Sequence, residues 1–390
     1  MNSKNKAVYC SERGDTLIYA DNAATTRISD SVMEKMLPFL REQYGNASSQ
    51  YSLGVKAKCA IEKARQQVAV AIGAEPSEIV FTSGGSESNS WVLSSVNNGH
   101  VIVSSIEHHS VLNACRSLER KGIEVTYLPV DSKGRVSLDS IKDSIRSDTK
   151  LVSIMLANNE IGTIQPIAEI GEYLRERSIL FHTDAVQAVG HIPVFVKELG
   201  VDFLTASSHK FNGAKGTGIL YKRNGTSLPP LIFGGEQECE ARAGTENVAG
   251  IVAAGYAITE SVANMNEMAD KLSGLVQATI NGIRDKISSI IINGDENNRL
   301  PGIVNIVFDG VTGESLMHLL DLKGICVSTS SACTSGKDEP SHVLMALGLT
   351  EQQAKSAIRI SYGRYNNMDE VETIVANICI AYEKILAAKL

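Results

Sequence analysis

In the stretch TASSHKFNGAKGTG, Thr205 to Gly218, a lysine directly follows a histidine at the end of an apolar run, and glycines come soon after. An ammonium group placed where a buried strand meets a tight turn is costly to desolvate unless its charge is paired or its amine is used covalently. Lys210 is therefore the first residue to ask chemistry of. FTSGGSESN, Phe81 to Asn89, reads as a strand, a Gly-Gly turn and a helix start. Backbone N–H groups of Gly85 and Ser86 would point at an anion there, with the Ser86 hydroxyl as a further donor. The plainer reading is a glycine turn capped by serine. FHTDAVQAVG sets Asp184 just past apolar strand residues, where a carboxylate needs a cationic partner. A protonated ring nitrogen of a cofactor is one such partner; a helix N-cap is the alternative use. Gln187 lies three residues on and could reach the same ligand. SSIEHHSVLN offers His108 and His109, neighbours that point apart, so at most one serves a site. LANNEIGT supplies Asn158, Asn159 and Glu160, expensive to bury without partners. No third ligand stands at familiar spacing for a two-histidine metal site.

These groups need elements that bring them together. Apolar runs beginning at Glu78, His100, Glu124, Lys150, Ile179, Val201 and Gly216 read as strands, with helix-like segments such as VLNACRSLERKG and IAEIGEYLRERS between them. Continuous apolar strands separated by helices predict a mostly parallel, seven-stranded sheet covered on both faces, an α/β fold. In such sheets the ligand sits at the carboxyl ends of the strands. That places Ser83–Ser88, Glu107–His109, Asn158–Glu160, His182–Gln187 and Ser207–Lys210 at one edge. An anion cradle, an acid for a ring nitrogen, a flat histidine, amide donors and a lysine form a set that suits pyridoxal 5′-phosphate (PLP). The phosphate takes the glycine turn, Asp184 holds the ring nitrogen, and Lys210 forms the Schiff base.

After about Gly250 the pattern changes. AGIVAAGYAITESVANMNEMADKLSGLVQATINGIRDKI predicts a long helix leading to short strands near GIVNIVFDG and GICVSTSSA. Val371, Ile374, Val375, Ile378 and Ile385 have helical spacing with one buried face. A large domain over 17–260 and a smaller α+β domain made of 1–16 and 261–390 are expected, joined by a continuous helix near residue 260. The bulk numbers narrow the function. Apolar residues make up 43% of 390, ordinary for a globular chain, and the net charge of −7 gives no support for direct nucleic-acid binding. No apolar run has the length of a membrane span, and MNSKNKAVYCSERGD lacks the apolar core of a signal peptide, so a cytoplasmic protein is expected. Seven cysteines, with no CxxC pair, argue against a disulfide framework and a structural zinc site.

The segments YADNAATT, YGNASS, SGGSESN, EHHSVL, ANNEIG, HTDAVQ, SSHKFNGAKG, RAGTENVAG and SSACTSG, in that order from about Ile18 to Arg364, closely resemble the NifS/IscS cysteine desulfurases. These are class V aminotransferase relatives with PLP fold type I, the aspartate aminotransferase-like transferase fold. The resemblance implies that Lys210 binds the cofactor aldehyde, that His108 stacks on the ring and moves protons, including that of the substrate thiol, that Asp184 pairs with the ring nitrogen and that Gln187 bonds the ring 3′ oxygen. It implies a phosphate site of Ser86, Ser207 and His209, with Thr245 reaching the phosphate of the other subunit in a homodimer. Asn159 and Arg359 would bind the carboxylate of L-cysteine, and Arg359 suits that role because a guanidinium grips a carboxylate bidentately. Cys333 would be the nucleophile. It sits among small polar residues, STSSACTSG, in a loop that could carry a thiol in and out. Sulfur would leave L-cysteine as a Cys333 persulfide, with alanine as co-product, and pass to an acceptor protein, an iron–sulfur scaffold or a thiolation enzyme. Selenocysteine lyase activity would use the same residues; a non-catalytic sulfur carrier is the alternative of another class. Departures from the family pattern are Ala47, Tyr51, Ala214 and Ser330. Glu236, Cys239, Glu240 and Ala241 depart too, standing where glycine and arginine are frequent and making the rim near Thr245 more acidic.

Overall fold

The computed structural model describes residues 17–329 and 339–389. A two-residue strand, β1 (Ile18–Tyr19), comes first, followed by helices Asp30–Arg41 and Ser52–Ile72. Seven strands then build one sheet: β2 (Ile79–Thr82), β3 (His100–Ser104), β4 (Glu124–Leu128), β5 (Thr149–Ser153), β6 (Leu180–Asp184), β7 (Phe203–Ser207) and β8 (Gly218–Lys222). Six fall within the predicted segments, and β5 starts one residue before its segment, at Thr149. Their order is β2-β8-β7-β6-β5-β3-β4. The run from β7 to β4 is parallel, and β8 is antiparallel to both of its neighbours.

Apart from the edge strand β4, where Glu124 and Tyr127 are exposed, the strands are largely apolar on both faces because both faces are covered. Ile102, Val152, Leu204 and Ile219 pack with residues of helices Ser52–Ile72 and Val248–Ala263, such as Ile61 and Ala257. Their strand neighbours Val101, Leu151, Phe203 and Leu220 pack with Trp91, Val92, Val111 and Cys115, from helices Gly85–Ser94 and His109–Glu119.

A second core lies beyond. Strands β9 (Ile290–Asn293), β10 (Ile303–Phe308), β12 (Ser328–Thr329) and β13 (Ala357–Ser361) form an antiparallel sheet in the order β12-β13-β10-β9, while β11 (Ile325–Cys326) pairs in parallel with β1. Val304, Ile306, Ile358 and Ile360 meet Leu275, Ile283, Leu316, Ile374 and Ile378 of three helices. Ile18 and Ala20 also belong to this core. Ile18 and Ala20 therefore pack with the carboxyl-terminal unit, whereas the sequence places residue 17 onward with the large sheet; residues 1–16, expected in the smaller domain, lie outside the described residues.

The expected continuous helix near residue 260 is a second difference. The chain forms two helices, Val248–Ala263 and Met265–Arg284, bent by 73°. Asn264 makes the break: it sits at φ −106°, ψ 11°, and its Nδ2 donates to the Glu260 carbonyl at 2.7 Å. A side chain that satisfies a last-turn carbonyl ends a helix locally. The bend is also what packing demands. Ile251 and Ala257 of the first helix serve the first core, and Leu272 and Leu275 of the second serve the other.

One buried ion pair fixes a loop to the sheet. Arg65 donates to both carboxylate oxygens of Glu238, at 2.8 and 3.0 Å, and to the Ile79 carbonyl at 2.7 Å. The Phe81 N–H also donates to Glu238, at 2.8 Å. Glu238, Cys239 and Glu240 hold φ of 50°, 55° and 64°, a region that favours glycine. The tethered carboxylate holds that turn in place. Arg65→Met should cost about 3–5 kcal/mol in urea unfolding of the cofactor-free protein, because it strands a buried charge. Adding Glu238→Leu should recover a large part of that loss; an equal or larger loss in the double variant would contradict this account.

Candidate active site

Strands β2, β3, β5, β6 and β7 end at one edge, and a cavity of about 350 Å3 opens there. Gly85 and Ser86 line it after β2, His108 after β3 and Asn159 after β5. Asp184 and Gln187 come from the end of β6, Ser207, His209 and Lys210 from the end of β7, and Arg359 from β13. The carboxyl-edge rule thus gathers residues that are far apart in sequence.

Helix Gly85–Ser94 begins at the cavity, so its first-turn N–H groups have no acceptor within the helix. A Cβ on residue 85 would stand 2.8 Å from Val186 Cγ2, so glycine alone lets this turn close against the residues after β6. Glu87, in the same turn, would repel an anion, but it is engaged elsewhere. It accepts the Ser83 N–H at 2.9 Å and pairs with Arg242 at 2.9 Å. Burial pushes its carboxyl up, and these partners outweigh burial and hold it below the usual range. His209 bonds Thr25 Oγ1 through Nδ1 at 3.1 Å. Burial, helped by Lys210 and Lys215, pushes its pKa down to about 4, so the ring meets the cavity uncharged.

Lys210 follows β7 in a single 3-10 turn, Ser208–Lys210. Its Nζ donates to the carbonyls of Ala23 and Ala24. The Ala23 carbonyl also accepts from Gln187 Nε2 at 2.9 Å. Asp184 is 4% exposed; its Oδ1 accepts the Val186 N–H at 3.0 Å and its Oδ2 accepts from Asn89 at 2.7 Å. Arg359 is 5% exposed. It donates to the Asn159 carbonyl at 3.0 Å and to Asp21 at 2.7 Å. Its Nε is buried without a hydrogen-bond partner among the described residues. Such a guanidinium still has capacity for a carboxylate ligand.

Thr245 stands apart from this cavity. It is exposed and lines a second hollow with Ser83, Gly216, Arg242 and Gly244. Cys333 lies outside the described residues. Sequence reasoning missed Asn89, Ser110 and Asp21, all of which line the cavity. For Asn89 a signal existed: it is four residues after Gly85 and so on the same helix face, yet fully polar and 1% exposed.

The donor set fits PLP: a glycine-crowded helix start for a phosphate, a buried carboxylate for a ring nitrogen, and a primary amine. Comparison with known proteins agrees. A family model described as aminotransferase class-V matches residues 18–374. A cysteine desulfurase IscS of Methanosarcina thermophila is 49% identical over 364 residues, 92% of this chain and 90% of its own. One of the same name from Dictyoglomus turgidum is also 49% identical, over 91% of each chain. Among solved structures, a NifS-like protein superposes with a TM-score of 0.90 at 39% identity, covering 95% of this chain and all (100%) of its own. A NifS-like protein of Rickettsia africae gives 0.87 at 33% identity, over 94% of this chain and 100% of its own. The fold and site define a PLP-dependent enzyme of fold type I. The chain belongs to the class V aminotransferase family.

A buried acid lies behind the site. Glu107 is fully buried, and its Oε1 accepts from Ser104 Oγ at 2.6 Å and from the Met155 N–H at 2.8 Å. Its Oε2 has no partner among the described residues. Burial raises its pKa from 4.5 to about 8. Between those values the folded state binds a proton that the unfolded chain has lost. The group's stabilising share is complete below pH 4.5 and is lost as pH rises to about 8. Glu107→Gln removes this dependence. Relative to the variant, the wild type should lose roughly 1.4 kcal/mol of unfolding free energy per pH unit across that window. Denaturant titrations at three pH values measure it; parallel curves would reject it.

Proposed function

We propose that this enzyme is a cysteine desulfurase, taking sulfur from L-cysteine, leaving L-alanine, and handing the sulfur to an acceptor protein. The observation that carries the reading is a lysine amine, a buried carboxylate and a buried, incompletely satisfied guanidinium in one cavity of about 350 Å3. The relatives named cysteine desulfurase, at 49% identity, support the choice of reaction.

The roles follow from the chain's own groups. Bound PLP would supply an electron sink for the α-carbon once its proton is removed. Lys210 Nζ would anchor the cofactor, then carry the α-proton. Asp184 would keep a proton on the ring nitrogen, and Gln187 would face the ring 3′ oxygen. Gly85, Ser86, Ser207 and His209 would hold the phosphate, with Thr245 serving the phosphate of the other subunit in a homodimer. Arg359 would take the substrate carboxylate, assisted by Asn159, and to do so would share its Asp21 bond with that ligand. The Cys333 thiolate would attack the substrate sulfur and keep it as a persulfide. The acceptor would be an iron–sulfur scaffold or a thiolation enzyme, and the setting cytoplasmic. No single helix among the described residues is long and apolar enough to cross a membrane.

Two variants test the assignment. Lys210→Ala should abolish the near-ultraviolet and visible absorbance that marks cofactor bound through the lysine, and should lower turnover by at least about 1000-fold. Cys333→Ala should keep that absorbance but lose sulfide release from cysteine. Full desulfuration by Cys333→Ala would transfer the role to another thiol. Turnover of selenocysteine with little turnover of cysteine would change the substrate.

A further inference from the structure

A cavity that receives a free amino acid has to meet two opposite charges. Arg359 answers the carboxylate, and the chain between the two units offers acceptors for the ammonium. Asp21 lines the cavity, with its side chain 18% exposed. Its Oδ1 accepts from Arg359 Nη2 at 2.7 Å, and its Oδ2 takes no hydrogen bond from the described residues. The chain then turns, the Ala24 N–H donating to the Asp21 carbonyl at 3.0 Å. Beyond the turn Lys210 Nζ donates to the carbonyls of both Ala23 and Ala24. That contact shows what this stretch of backbone binds: a primary ammonium, whose three hydrogens can serve two carbonyls at once. The stretch is held at both ends. The Asn22 N–H donates to the Ser361 carbonyl at 3.0 Å and the Ala23 N–H to Ser361 Oγ at 2.9 Å, two residues from Arg359 on β13. The Thr26 N–H donates to the carbonyl of His209, next to Lys210, at 3.0 Å.

A lysine nitrogen committed to the cofactor keeps at most one hydrogen, so it cannot go on serving both carbonyls. Ala23 still receives Gln187 Nε2 at 2.9 Å, but among the described residues no donor other than Lys210 reaches the Ala24 carbonyl. We propose that Asp21 and the Ala24 carbonyl seat the α-ammonium of the substrate beside Arg359, which takes its carboxylate, so that the cavity selects zwitterionic α-amino acids over carboxylates that lack the ammonium.

The selection is electrostatic. A ligand carboxylate on the guanidinium draws on the charge that Asp21 shares in the empty site. A zwitterion returns a cation to Asp21 in exchange. A plain carboxylate returns nothing, and it meets Asp21 as a like charge in a cavity poor in water. That the amino acid is L-cysteine rests on the desulfurase reading; the seat itself recognises the ammonium and carboxylate that α-amino acids share.

The test is calorimetric binding of two ligands of one shape to the holoenzyme at neutral pH. N,N-dimethylglycine is a zwitterion whose nitrogen, with a single hydrogen, cannot condense with the cofactor. Isovalerate has carbon in place of that nitrogen and carries only the carboxylate. The wild type should bind dimethylglycine at least about tenfold more tightly than isovalerate. Asp21→Asn keeps an oxygen for Arg359 Nη2 and removes the charge. It should bring the two affinities within about twofold of each other while changing that for isovalerate by less than about threefold. A wild type with no preference overturns the proposal, and that comparison needs no variant. Equal weakening of both ligands by Asp21→Asn also overturns it, since Asp21 would then act on Arg359 alone. Neither ligand contains sulfur and neither is turned over, so this proposal and the desulfurase assignment can fail separately.

Discussion

The hydrogen bond from Asn89 to Asp184 is where three elements are joined. Asn89 rides on helix Gly85–Ser94, whose start forms the anion cradle; Asp184 ends β6; and the second hydrogen of the same amide reaches Ser110 on the helix that His108 caps. A hydrogen bond to a carboxylate contributes about 1.5–3 kcal/mol net, and leaving a buried carboxylate without one costs more. Asn89 Oδ1, meanwhile, is buried with no partner among the described residues. A side chain kept at that cost is placed for its donors. The distances between cradle, acid and histidine follow from one amide, so small changes in helix position move all three together.

Closing the cavity takes both cores. The sheet supplies an edge but no lid, and the second unit brings Arg359 on β13. The chain between the units brings Asp21, Ala23 and Ala24 against it: Asp21 to Arg359, and the two alanine carbonyls to Lys210. This explains why β1 belongs with β11 although it precedes the large sheet in sequence. A charged pair is held near the lysine by backbone that is itself paired to β13 through the Asp21–Ser361 bridge. A substrate that engages Arg359 and Lys210 together thereby spans the two units.

The large sheet was legible because its strands are mostly apolar and are separated by helix-like segments, and the strand-end rule then located the cavity residues. What escaped has physical reasons. β1 and β11 are two residues long, too short to show a period. β13 carries Arg359 at its centre, and a charged residue in a strand of five reads as a ligand group before it reads as core. The break at Asn264 was hidden because apolar residues continue through it; only the need to face two cores reveals it. Asn89 and Ser110 act on other side chains, and a sequence shows residue types without showing which atoms they meet. Thr245 falls outside the cavity in a single chain, and the family resemblance, which implies a role at the other subunit's phosphate, places it there for a reason that one chain cannot display.

Both flanks of the segment that contains Cys333 are fixed to the cavity rim. On one side β12 pairs with β13, Ser328 opposite Arg359, and Ser328 itself lines the cavity. On the other side Ser341 Oγ donates to Glu160 at 2.5 Å, and His342 Nε2 donates to the Glu107 carbonyl at 3.0 Å. Glu160 is buried, and burial raises its pKa to about 7. It can therefore hold Ser341 without a full buried charge at neutral pH. Helix His342–Ala346 thus starts from two bonds to residues that follow β3 and β5. Backbone pairing of β12 with β13 sets Ser328 opposite Arg359, so the arginine and the strand that precedes residues 330–338 share one frame.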